Sequence, residues 1–300
     1  MKPPVDPILI HFTERWGIHW YGLLIVGGVM LGALYAAWRA NRNGDDSEHV
    51  WNALSVAVVL GIIGARLYHV FSQPEGGMVG WDYYRRNPIE ILYIWQGGLG
   101  IYGAMVGGML GVVLYAWRAK LSPLKWLDYG APGLALGQAV GRWGNFINQE
   151  LYGPPTDLPW GLRIDPQYRI MPYNDLQTYP PDTLFHPTFL YESLWCLLVF
   201  GVLAVVAERF KDRLREGDIL LGYFIGYPLG RFFLEYLRPD AWMIGPIAAA
   251  QLFAIISVVA AGAALVIRHT VARTPAAGEA GNAASISGTT EAGETSGAED

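Results

Sequence analysis

Apolar stretches recur seven times along the chain, at about 18–38, 51–72, 97–117, 126–147, 187–207, 219–237 and 245–267. Each comes close to the roughly 20 residues that an α-helix needs to cross about 30 Å of hydrocarbon at 1.5 Å of rise per residue. The pattern predicts an all-α membrane protein with seven transmembrane helices. An odd number of crossings puts the two termini on opposite sides. Lysine and arginine then choose the orientation, because cytoplasmic loops carry their excess. One side holds Arg39, Arg42, Arg118, Lys120, Lys125, Arg209, Lys211, Arg213, Arg215, Arg268 and Arg273, all in short loops or just past a helix end. The other holds Lys2, Arg15, Arg85, Arg86, Arg163, Arg169 and Arg238, spread over much longer connections. The N-terminus is therefore expected outside and the C-terminus in the cytoplasm.

The long connections, about 73–96 and 148–186, both fall on the outer side. The second, "GPPTDLPWGLRIDPQYRIMPYNDLQTYPPDT", is dense in Pro, Tyr and Trp, which suits an ordered extracytoplasmic cap at the depth of the lipid headgroups. A passive interfacial loop is the plainer alternative. Residues 1–270 are expected to form one seven-helix domain. Residues 271–300, rich in Gly, Ala, Ser, Thr and Glu, lack the apolar side chains to bury and are expected to be a disordered cytoplasmic tail.

Composition agrees with the pattern. The chain is 52% hydrophobic and 16% charged, against roughly 25% charged in an average soluble domain. Its net charge of −5 comes largely from the acidic tail, so a nucleic-acid partner is not indicated. The single cysteine, Cys196, excludes an internal disulfide, and the histidines show no metal-binding spacing. No metal or other cofactor is expected. The first residues lack the basic start and cleavage site of a signal peptide, so they are expected to remain on the mature protein.

Three basic residues lie inside the predicted helices. Arg66 is fifteen residues beyond Trp51, Arg142 sixteen beyond Trp126 and Arg231 twelve beyond Ile219, each on a helix running outward. All three reach roughly 18–24 Å from the cytoplasmic boundary. His19, Tyr21, Tyr102, His186, Tyr191 and Glu192 belong to the same level. A buried charge in hydrocarbon costs several kcal/mol, so three at one depth call for a shared compensation. Local pairing is one answer: Arg231 with Glu235 at i, i+4, or Arg66 beside His69. An anion site is the other, since guanidinium forks suit phosphate and Asn145 and Asn148 add neutral donors. The anion available at that depth is a phospholipid headgroup. The glycine-rich runs "GGVMLG", "GGLGIYGAMVGGMLG" and "GLALGQAVGRWG" allow close helix approach or a thin-walled cavity, and do not separate the two.

The segment "GRWGNFINQELYG" at 141–153 resembles the signature of the bacterial prolipoprotein diacylglyceryl transferases. "IHWYG" at 18–22, "GGLGIYG" at 97–103, "HPTFLYE" at 186–192 and "GRFFLEYLRPD" at 230–240 resemble that family's other recurrent segments, in the same order, over about residues 16–268. The resemblance implies a seven-helix enzyme of the bacterial cytoplasmic membrane, with its site toward the outer leaflet. Such an enzyme moves the diacylglyceryl group of phosphatidylglycerol to the lipobox cysteine of a prolipoprotein signal peptide, releasing glycerol phosphate. It implies that Arg142 binds the lipid phosphate, that Arg231 is a second essential arginine, and that Tyr21, Asn145, Glu150, Gly153 and Glu235 belong to the site. Asn148 and Arg66 join the substrate-binding set on the reading of residues above. One position departs from the family: Tyr102 stands where a histidine is usual. A neutral tyrosine is a poor general base, so Tyr102 is expected to orient the phosphate or relay a proton, with Glu150 or Glu192 as alternative bases. A transporter or a lipid-binding protein for an anionic solute is the competing reading.

Overall fold

The computed structural model of the chain describes residues 1–4, 6–12, 17–72 and 80–270. Seven long helices appear where the apolar runs predict them: α1 (Trp20–Arg42), α2 (Glu48–Phe71), α4 (Ile101–Arg118), α5 (Pro123–Asn148), α6 (Thr188–Arg209), α7 (Asp218–Leu234) and α8 (Ala249–Thr270). One short helix, α3 (Trp81–Tyr84), precedes α4. Five of the seven, α1, α2, α4, α6 and α8, are long and apolar enough to cross a membrane. Of the other two, α5 is the most polar, and α7 spans 17 residues. The expected tail at 271–300 lies outside the described residues.

The bundle reverses the burial pattern of a water-soluble core. Small side chains such as Ala36, Ala40, Ala116, Ala131 and Ala135 are buried between helices, while Val26, Val58, Val59, Val106, Leu194 and Val259 are exposed on the outside. A surface of that kind needs hydrocarbon as its solvent. Glycine sets the closest contacts. A Cβ on Gly32 of α1 would lie 2.7 Å from the Gly133 carbonyl oxygen of α5, and one on Gly28 would lie 2.7 Å from that of Gly137. Rising numbers on α1 meet falling numbers on α5, so the two run antiparallel with backbones in contact. α2 and α4 pair in the same way, with Gly64 against Gly103.

Short strands add local order at the end of the bundle where α1, α4, α6 and α8 begin. β1 (Ile8–His11) pairs with β2 (Gly17–His19), β3 (Leu162–Arg163) with β4 (Leu184–Phe185), and β5 (Met243–Ile244) with β6 (Ile247–Ala248), all antiparallel. Residues 150–187 fold over the end of α5 and α6 as an ordered cap. Its core is Tyr152, Leu162, Ile164, Tyr173, Phe185 and Phe189. Arg169 is buried beneath it and donates to the carbonyls of Ile164, Tyr179, Pro180 and Pro181 at 2.9–3.0 Å. The N-terminal amine donates to Gly161 O at 2.5 Å, which ties the start of the chain to this cap.

The opposite end is held by polar ties between turns. Lys125 and Tyr129 of α5 reach Asp45 in the turn between α1 and α2, with the Tyr129 hydroxyl donating at 2.5 Å. Burial opposes ionisation of Asp45, but those hydrogen bonds outweigh it and hold the carboxyl below its ordinary 3.8. The stabilisation it lends is full above that pH and fades as pH falls below it.

Candidate active site

The cap end of α5, α6 and α7 brings charges together in a buried place. Arg142, four-fifths of the way along α5, sends Nε to within 2.6 Å of Glu192 Oε2 in the first turns of α6. Arg231, near the end of α7, donates NH1 to the other oxygen of the same carboxylate, Glu192 Oε1, at 2.7 Å. Its NH2 lies 2.5 Å from Glu235 Oε2, one turn further on, as an ion pair off the line of a good hydrogen bond. The two arginines that the sequence places on separate helices thus share one carboxylate, and two positive charges face two negative ones. Pairing of this kind offsets the cost of burying polar side chains away from water.

Arg142 is not saturated by this pairing. Its NH1 is 3.5 Å from Asn145 Oδ1 and its NH2 3.4 Å from the Tyr227 hydroxyl, both long contacts. A planar two-pronged donor therefore remains weakly held on the side away from Glu192. Asn145 donates instead to Glu150 Oε1 at 2.8 Å, and Asn148 to the same oxygen at 3.4 Å. The helix ends here because Gln149 and Leu151 take positive φ, which turns the chain and brings Glu150 back over the last turn of α5. Tyr21 of α1 lies across Gly144 of α5, within electrostatic reach of Glu150 and Arg142. Gly153 is a stitching point. Its N–H donates to His186 O at 2.9 Å, and a Cβ there would come within 2.8 Å of the His186 side chain and 3.1 Å of Leu237 O.

Two residues singled out in the sequence are not drawn into this cluster. Arg66 donates to the carbonyls of Glu90, Ile91, Gly97 and Gly98 at 2.5–3.1 Å and stacks over Tyr84, so its guanidinium organises the connection between α3 and α4. Tyr102 leans on Tyr68 across the α2–α4 contact and is 56% exposed; among the described residues its hydroxyl makes no hydrogen bond to Arg142 or Arg231, whose partners are Glu192, Asn145, Tyr227 and Glu235. Conversely, Tyr227 was not among the sequence candidates. It lies one turn before Arg231 in "GYPLGR", so helical spacing puts Tyr227, Arg231 and Glu235 on one face, and that spacing was the available signal. The sequence offers Glu192 as a polar group at the depth of the arginines and as an alternative base, and only the fold reveals that both arginines meet on it. Among the described residues no group of three His, Cys, Asp or Glu side chains is placed to hold a metal ion.

Comparison with known proteins bears on the chain as a whole. The family model described as prolipoprotein diacylglyceryl transferase matches residues 7–267. The chain belongs to that family. A phosphatidylglycerol–prolipoprotein diacylglyceryl transferase of Chloroflexus aggregans is 44% identical, over 96% of this chain and 98% of its own length. Proteins of the same name from Synechococcus elongatus, at 41% identity over 80% of each chain, and Listeria innocua, at 36% over 91% and 93%, are similar as well. The resemblance drawn from five short motifs is thereby borne out, and membership in this transferase family displaces the transporter alternative. With its apolar helices, it marks the chain as a multi-pass membrane protein.

Proposed function

We propose that the chain transfers the diacylglyceryl group of phosphatidylglycerol to the thiol of a lipobox cysteine in a prolipoprotein signal peptide. The observation that carries this reading is the meeting of Arg142 and Arg231 on Glu192, with the Arg142 fork left open beside it. The relatives' shared name supplies the two substrates.

The chemistry follows from what such a cluster does for a phosphodiester. The open edge of Arg142 takes two phosphate oxygens, and Asn145 and Asn148 supply neutral donors at the same rim. Arg231 adds positive charge from behind, and Glu235 and Glu192 hold its guanidinium in place. The thiolate sulfur attacks the glyceryl carbon that carries the phosphate. A carbon–sulfur bond forms as the carbon–oxygen bond breaks, and the electron pair leaves on the phosphate oxygen, where the two arginines face the growing charge. The thiol proton passes to the Glu150 carboxylate and then to the departing glycerol phosphate. Glu150 suits that role because its Oε1 holds both asparagine amides, which orients the carboxylate and leaves Oε2 free of hydrogen bonds among the described residues. Tyr21 lines the same mouth. No proton is routed through Tyr102, and Arg66 serves the substrate route by shaping the α3–α4 connection.

In this reading all seven long helices cross the bacterial cytoplasmic membrane. The N-terminus and the cap lie outside, the site opens to the outer leaflet, and α8 ends at the cytoplasmic face. The clustering of Arg39, Arg42, Lys125, Arg209, Arg215 and Arg268 at the end opposite the cap supports that orientation. The test is to incubate the purified chain with phosphatidylglycerol and a lipobox peptide. The peptide should gain the mass of one diacylglyceryl unit while glycerol phosphate appears in equal amount. Binding of the lipid with no mass gain would defeat the reading.

A further inference from the structure

α5 and α7 run in the same direction, and each carries one of the two arginines near its cap end. Their relative position along the bundle axis decides whether Arg142 and Arg231 reach a single phosphate. At the far end one side chain joins them. α7 starts after Gly217, whose φ of +98° suits glycine and which has no side chain with which to cap the helix. The cap comes from α5 instead. Asp128 Oδ2 accepts the Gly217 N–H at 2.6 Å, and Oδ1 accepts the Leu220 N–H at 2.8 Å. These are the two donors that a helix usually satisfies with its own first-turn residues. A carboxylate there also meets the positive end of the α7 dipole. Asp128 is itself held from behind, since its main-chain carbonyl accepts from Arg39 NH1 of α1 at 2.7 Å.

We propose that Asp128 is a positioning residue for the transfer reaction: it pins α7 to α5 in the register that lets Arg142 and Arg231 act on one phosphate. The proposal rests on the assignment of those arginines made above. Arg142 lies fourteen residues beyond Asp128, and Arg231 eleven beyond Leu220, so the pin acts over roughly 20 Å of helix. α7 packs on α8, α6 and α5; against α5 it meets the small side chains of Ala131 and Ala135 and, further along, Arg142 at 3.4 Å from the Tyr227 hydroxyl. A slip of one residue moves Arg231 by about 1.5 Å and turns it by about 100°. A misplacement of about 1 Å is enough to lower a rate by about 100-fold. The neighbouring carboxylate has a different task. Asp218 accepts from the Arg215 N–H at 2.7 Å and pairs with His269 at 2.7 Å, which ties α7 to α8.

The test is a double-mutant cycle on the full chain with phosphatidylglycerol and a lipobox peptide. It combines Asp128→Asn with Arg231→Lys and follows kcat, KM and thermal unfolding. Asparagine keeps the size of the side chain but can accept through one oxygen only, so one α7 N–H loses its partner. Asp128→Asn should lower kcat about tenfold or more, leave KM for the peptide nearly unchanged, and cost less than about threefold in the Arg231→Lys background. Equal losses in both backgrounds, the rule for distant and uncoupled sites, would overturn the proposal, as would full activity of Asp128→Asn. Should the asparagine variant not accumulate as folded protein, the cycle is run with Asp128→Glu, which keeps the charge but displaces it by one methylene. A glutamate variant that also fails to fold would assign Asp128 to stability alone and overturn the pin. A wild-type chain that transfers nothing would strike the proposed function, which is a separate outcome.

Discussion

Arg142 shows how much rests on one side chain's geometry. Its Nε is held by Glu192 while NH1 and NH2 have only long contacts, so the residue is fixed in orientation and open for an anion. Lysine would bring the charge without the fork. Arg142→Lys is expected to lower kcat/KM by about 100-fold or more, measured by peptide mass gain at matched amounts of folded protein. Tyr102 leads to the opposite expectation. Its ring is on Tyr68, more than half its surface is exposed, and it is not among the hydrogen-bond partners of either arginine in the described residues. Tyr102→Phe should retain activity within about threefold across the pH range, the size of a surface change with no partner lost. A large loss, or a shifted pH profile, would return the residue to the mechanism. The arginines, Asn145, Glu150 and Glu235 were legible in the sequence because ionised and amide side chains inside apolar runs cannot be placed without partners. The identity of the partner was not legible. Glu192 and Glu235 are both within reach of Arg231, and nothing in the one-dimensional order says that Glu192 is shared with Arg142.

The helices themselves were legible from apolar periodicity, to within a few residues at each end. Their pairing was not, because small residues recur on several helices and each run of glycine fits more than one neighbour. The structure chooses α1 with α5 and α2 with α4 through reciprocal backbone contact at Gly28, Gly32, Gly133 and Gly137, and at Gly64 and Gly103. Arg66 belongs to this scale. Read along the chain it is an intramembrane charge at the depth of the site, but its donors close onto four carbonyls of the turn leading into α4. Arg66→Met should strand those carbonyls at about 1–3 kcal/mol for each one left buried and unsatisfied. The expected readout is faster proteolysis within residues 85–100 and a lower unfolding temperature. Proteolysis and unfolding unchanged from wild type would mean that the loop holds its shape by other means.

At the scale of the whole molecule, the bundle has an end tied by aspartates and an end where the arginine–glutamate cluster gathers. Asp45, Asp128 and Asp218 link turns and helix starts at the first, while Arg142, Arg231, Glu192 and Glu235 meet at the second. The 271–300 segment follows α8 in the sequence and is outside the described residues. Removing it after Arg273 should leave transfer within about twofold of wild type, because its sequence lacks the apolar side chains that a packed segment buries. A larger loss would give the segment a role in the reaction or in assembly.

By itself the sequence determined the number and placement of the long helices, the positions of the charges along them and, through its motifs, the family. Each follows from a local rule: apolar length against bilayer thickness, rise per residue, and the cost of a charge in hydrocarbon. The tertiary structure alone decided that Arg142 and Arg231 meet on one carboxylate, that Arg66 and Tyr102 stand aside, and that Asp128 caps a helix to which it does not belong. Those facts depend on which helices touch and in what register, and such choices are made by packing and hydrogen-bond satisfaction between segments far apart in the chain.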